Sequence, residues 1–260
     1  MRLTQCTLLV LLSLTGLGQP QPRVLHLHKG QQMQVKNSLA LDTLVMEDSS
    51  RLILTSEGHE FTLRTHTLRV GAGCQLIGKG KNGMSGQSGF AGTTVIGPCY
   101  NGTNGTGGRP GDSGQNGLNL FLYLQSARIT GNLTIDLTGG DGGNGGNGGS
   151  GGGGSPGTRL CPGGRGGDGG KGGNGGNGGH AGNVTVFSRE TYILRGWIGD
   201  LIRLRLYGGR PGLGGNPGTG GAAGLGPGGD STKDGSRGRR GSAGSNGNPG
   251  ENGGMSFKDQ

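Results

Sequence analysis

The side chains whose type and spacing could do chemistry are cysteines, a histidine pair, asparagine sequons and an arginine cluster. Of the four cysteines, Cys6 lies in an apolar N-terminal stretch that reads as a signal peptide. Cys74, Cys99 and Cys161 remain, an odd set that implies one bridge and one spare thiol in an exported protein. His26 and His28 alternate on a candidate strand, so both rings would share one face and could bind a metal. Two exposed histidines on an edge strand are the commoner outcome, and no metal site is expected. The sequons at Asn101, Asn104, Asn132 and Asn183 are candidate glycan acceptors. Lys233, Arg237, Arg239 and Arg240 form a basic cluster in a chain of formal charge +9, a candidate site for an acidic polysaccharide. Gly163–Asp168 (GGRGGD) opens like a calcium-binding nonapeptide, but Gly170 stands where an apolar residue is needed.

No catalytic constellation is visible. There is no G-x-S-x-G, HExxH or phosphate-loop pattern, and GxGxxG matches inside glycine runs follow from composition alone. The chain is expected to be no enzyme and to need no cofactor. Scarce aromatics argue against nucleic-acid binding, and no segment is long and apolar enough to span a bilayer.

The elements that would position these groups are unusual. Glycine falls on every third position from Gly139 to Gly157 and again from Gly163 to Gly178, mostly with a second glycine beside it. A period of three fits the polyproline-II helix, where a bare glycine edge lets another backbone approach. With 69 Gly and only 10 Pro, the chain lacks the proline-rich collagen signature. Triplets mostly with a single glycine run over residues 80–92 and 102–117, and again over 209–224 and 235–253. The polar third residues of the central legs, Asn144 and Lys171 among them, would hydrate the rims.

Between these runs the chain reads as β structure. Thr43–Met46 and Arg51–Ile53 recur 24 residues on, as Thr67–Val70 and Gln75–Ile77, which suits a β-solenoid coil. Residues 132–140 match 201–209 in the same manner, and Tyr192–Trp197 also reads as strand-like.

The expected fold class is therefore all-β plus a polyglycine-II/polyproline-II bundle. It has a small β-solenoid-like base, three antiparallel glycine-rich hairpins with six legs, and essentially no α-helix after the signal peptide. The expected layout is a signal peptide (1–18), an N-terminal β region (19–77), hairpin 1 (78–117), a β insert (118–138), a central hairpin 2 (139–182), a second insert (183–207), hairpin 3 (208–254) and a terminal strand (255–260). Cys99 and Cys161 both fall in hairpin tips and are expected to be bridged, leaving Cys74 free for an intermolecular disulfide or a homo-oligomer.

Over residues 78–254 this triplet pattern resembles glycine-rich bundle proteins of the snow flea antifreeze type, and the glycine-rich tips of phage tail-fibre adhesins. More loosely it is similar to secreted collagen-like matrix proteins. The resemblance implies a fold and says little about function. The leading expectation is a secreted structural glycoprotein of an extracellular matrix, coat or mineralised layer, whose partners are matrix or surface components. An adhesin acting through its hairpin tips, or an ice-binding protein with a flat face of small residues, are the alternatives.

Overall fold

The computed structural model describes residues 24–259. The signal-peptide reading and Cys6 lie outside them. Two parallel sheets carry the regular structure. One has six strands in the order β1-β3-β5-β7-β9-β11, and the other five in the order β10-β8-β6-β4-β2. The first comprises β1 (Val24–Leu27), β3 (Leu39–Met46), β5 (Glu60–Val70), β7 (Asn119–Ile129), β9 (Val184–Ser188) and β11 (Met255–Lys258). The second comprises β2 (Gln32–Lys36), β4 (Arg51–Thr55), β6 (Cys74–Ile77), β8 (Leu133–Asp136) and β10 (Ile202–Arg205). The chain alternates between sheets, so each pair of strands makes one coil and the next coil stacks on it.

This architecture corrects the fold class expected from the sequence. Among the described residues the organising elements are eleven strands in two parallel sheets, where the expectation made antiparallel hairpins in a polyproline-II bundle the main structure and the β part a small base. Every pairing between these strands is parallel. The reason is the coil itself: a strand meets its equivalent one turn later, running the same way. The segment Tyr192–Trp197 is also corrected, because α1 (Thr191–Gly196) is a short helix there. It buries Leu194, with Trp197 and Ile198 packed against the core just beyond it.

Alternation along the strands explains the core. Phe61, Leu120 and Val184 stack in register across β5, β7 and β9, as do Leu63, Leu122 and Val186. From the other sheet Leu52, Leu76 and Ile135 stack likewise. All are buried between the sheets. The corners are tight turns: Ser49 and Gly73, equivalent positions of the 24-residue repeat, both take positive φ, at 61° and 71°. On the outer face of the larger sheet Arg64, Tyr123, Phe187 and Lys258 are also in register. Tyr123 and Phe187 stack at 4.3 Å, with Arg64 over the tyrosine and Lys258 over the phenylalanine.

Candidate functional site

The glycine-rich segments belong to neither sheet, yet the sheets fix their phase. Each outgoing leg continues a strand of the five-stranded sheet, and each returning leg leads into a strand of the six-stranded one. Cys74 pairs with Leu133 in the β6–β8 ladder, 59 residues apart. Beyond it Asp141 N–H donates to Asn82 Oδ1 across the same separation. The β8–β10 pair Leu133–Ile202 and the leg contact Arg210 N–H to Asp141 Oδ1 share a separation of 69 residues. Ladder register therefore becomes leg register.

Legs beside each other in this sense run parallel, as in Gly83 N–H to Asp141 O at 2.8 Å and Gly142 N–H to Arg210 O at 2.8 Å. Legs of one excursion run antiparallel, as in Gly176 N–H to Gly143 O at 2.8 Å. The result is two layers of three legs. Outgoing legs at residues 80–92, 139–157 and 209–224 form one layer, and returning legs at 102–117, 163–182 and 235–253 the other.

The triplet Asn144-Gly145-Gly146 shows why the central legs need two glycines. Gly145 N–H donates to Leu213 O and Gly146 N–H to Arg109 O. Asn144 O accepts from Gly86 N–H, and Gly146 O from Gly173 N–H. Four different legs thus meet one triplet. A Cβ on Gly145 would lie inside 3.0 Å of the Gly173 carbonyl, and one on Gly146 inside 3.0 Å of the Gln87 carbonyl. Flanking legs touch fewer neighbours and tolerate more side chains.

Where the third position of a triplet is Asn or Asp, it has a task beyond the hydration expected of it: its side chain accepts the outward N–H of the next leg. Asn144 and Asn147 Oδ1 receive Leu213 and Asn216 N–H at 2.9 and 2.8 Å. Asn174 and Asn177 receive Ser245 and Asn248 at 3.1 and 2.8 Å. The available signal was the in-phase GGN triplet. These rows make the two outer faces. On the outgoing layer the far rows are Ala91, Ser150, Thr219 and Thr94, Gly153, Ala222. On the returning layer Arg165, Asp168, Lys171, His180, Arg239 and Glu251 give a charged face. Asp168 is held below the usual carboxylate range, first by the Arg239 backbone N–H and then by the Arg165 guanidinium. That carboxylate is thus engaged within the GGRGGD stretch.

The tips gather at the distal end. Cys99 and Cys161 form a disulfide with Cα atoms 6.1 Å apart. Ser155, almost fully buried, donates its hydroxyl to Val95 O and accepts Gly164 N–H on its carbonyl. Around this hub Ile96 and Leu160 are 98% and 97% exposed, and Tyr100 and Leu225 are also exposed.

The other residues singled out by their chemistry are scattered over the molecule. Cys74 is a free thiol with zero exposure, bonded to Glu47 O at 3.2 Å and approached by the Ser50 hydroxyl. This corrects its reading as a thiol for intermolecular linkage, since its inward strand position puts it in the core. Asn101, Asn104 and Asn183 sit on the returning layer, where each Oδ1 accepts a backbone N–H from the next leg. Asn132 Oδ1 accepts Gly73 N–H at a coil corner. The basic cluster is divided. Lys233 reaches Arg159 O near the tips, and Arg239 lies on the charged face. Arg237 and Arg240 share the triplet phase of Asn246, which turns to Gly214 at the array edge. His26 and His28 stand beside Glu47, a partner that local spacing does not suggest.

No family model matches the chain, and no curated protein matches its sequence. No helix among the described residues is long and apolar enough to cross a membrane. Among solved structures the chain is similar to a nine polyproline type II helical bundle springtail antifreeze protein from Granisotoma rainieri. The identity is 27%, over 66% of this chain and 92% of that one, with a TM-score of 0.14. At that score the backbones do not superpose, and no fold or function is carried across.

Proposed function

We propose that this chain is a secreted, non-enzymatic structural protein of an extracellular matrix, coat or mineralised layer. The observation that carries the reading is the four-way backbone bonding of each central triplet, to which Asn and Asp side chains on the outer faces add further ties between legs. Other side chains line the rims, where the far rows of one face are small and the other face is charged. The Cys99–Cys161 bridge across the tips suits an oxidising compartment. The charged face, with Arg165, Lys171 and Arg239, is the side that would meet acidic polysaccharide. Co-sedimentation with insoluble chitin, an acidic polysaccharide gel and calcium carbonate tests it. Retention on at least one of these, or self-assembly into pelletable material, is expected. A protein that stays monodisperse and unbound with all three would sink the structural reading.

A second reading rests on the outgoing layer. Its far rows, Ala91-Ser150-Thr219 and Thr94-Gly153-Ala222, set small side chains in register on one face, the type of surface that could order water as ice. Thermal hysteresis of the purified protein, with Thr219→Arg as the face-disrupting variant, distinguishes it. Hysteresis lost in the variant would replace the structural reading with ice binding.

A further inference from the structure

We propose that His26, His28 and Glu47 form a binding site for a divalent cation of borderline softness, with Zn²⁺ as the type case. Their ligand atoms all lie within 4.8 Å of one another. The geometry follows from the fold. Strand alternation puts His26 and His28 on one face of the β1 end, with ring centroids 4.5 Å apart. Leu27 pairs with Met46 in the β1–β3 ladder, so Glu47 arrives beside His28, and its N–H is bonded to Leu27 O at 2.9 Å.

The distances suit a tetrahedral ion. Two ligands each at about 2.0–2.1 Å on such a centre stand about 3.3 Å apart. Glu47 Oε1 lies 2.8 Å from His26 Nε2 and 3.8 Å from His28 Nδ1, which brackets that value. Two imidazoles and one carboxylate leave a fourth position for water or an exogenous ligand.

The carboxylate is already oriented. Its other oxygen, Oε2, accepts Lys29 N–H at 2.9 Å, so Oε1 faces the rings. The backbone around the rings is tied as well: His28 N–H donates to Gln31 Oε1 and Gly30 N–H to Asp48 O, both at 2.9 Å. An ion here would replace the proton shared between His26 and Glu47 and pin the edge strand β1 to β3. It would act as a clasp at the start of the solenoid, at the end opposite β11.

The test is calorimetric titration of ZnCl₂ into tag-free, chelator-treated full-length protein, with thermal melts in parallel. One ion per chain is expected, with a raised melting temperature. Binding should weaken by at least about tenfold in His28→Ala and in Glu47→Gln, because even the outer-shell partners of a metal site are worth that much and these are ligands. His59→Ala, which removes an exposed histidine elsewhere, should bind as wild type. All four mutated side chains, His26, His28, Glu47 and His59, reach solvent, so circular dichroism should report an unchanged fold. Absence of binding to the wild type at millimolar ZnCl₂ overturns the proposal. So does binding that survives intact in His26→Ala/His28→Ala.

Discussion

Substituting Gly145 by alanine isolates the close approach of the two central legs. The added Cβ would press on the Gly173 carbonyl, which is backbone and cannot swing aside. Parting the legs at this point breaks the bonds on either side, Gly173 N–H to Gly146 O and Gly176 N–H to Gly143 O, each 2.8 Å. All four glycines are buried, so water does not replace the lost partners. Two bonds at about 1 kcal/mol each, with about 1–3 kcal/mol for each group left unsatisfied, give the gross loss. Reduced backbone entropy in the unfolded chain returns about 0.4–1 kcal/mol. Partial relaxation leaves a net destabilisation of about 2–4 kcal/mol, or about 4–16 °C in melting temperature for a chain of this size. Gly107→Ala is the matched control, because its Cβ would meet only the Lys171 carbonyl at an ordinary 3.4 Å. It should be neutral or slightly stabilising. Thermal melts of the two variants, with hydrogen exchange at Gly173 and Gly176, decide the matter. Equal melting temperatures would refute the argument that backbone contact sets the double-glycine rule.

Reducing the Cys99–Cys161 bridge, which spans 62 residues, should cost up to about 4 kcal/mol by loop entropy, read as a lower midpoint in urea with reductant. Cys74 should resist alkylation by a small thiol reagent until denaturant is added, because its sulfur is wholly buried. Leu120→Ala, in the middle of the stacked core, should lose about 2–5 kcal/mol in the same urea titration. The Asp168 carboxyl has a folded pKa below its ordinary value, so its contribution is present above that ordinary value and lost as pH falls through the lowered one. Asp168→Asn keeps an acceptor for Arg239 N–H, and its melting temperature should fall less between neutral pH and strong acid than that of the wild type.

Much of the strand register could be read from the chain, because a parallel coil stacks residues that repeat in sequence. Thr43 pairs with Thr67 and Arg51 with Gln75, as the 24-residue repeat implies, and Leu133 pairs with Ile202. The extent of the sheets was harder to see. β5 and β7 each run through eleven residues, including Arg64–Thr67 and Gln125–Arg128, where polar residues interrupt the apolar alternation. Their mutual pairing, a tertiary effect, sustains them there. With 69 glycines in the chain, the triplet runs mask these strands and the parallel sheets that organise the structure. Tyr192–Trp197 has aromatic and β-branched residues that suggest strand, but burial of Leu194 and Trp197 against the coil end selects a helical turn. Glu47 was invisible as a partner of His26 and His28, because nothing in local spacing joins residues brought side by side only by the ladder.

The shared phase of ladder and leg also governs how such a chain can change length. A single inserted residue in an outgoing leg would move every later glycine off its contact and bring an asparagine against a carbonyl. A whole triplet inserted there alone would keep the phase but misalign the partner coming back. Only a triplet on the way out matched by one on the way back leaves every rung intact. Growth at the tips is therefore quantised, and relatives of this chain should differ in slab height by whole rungs while their coils keep a common length.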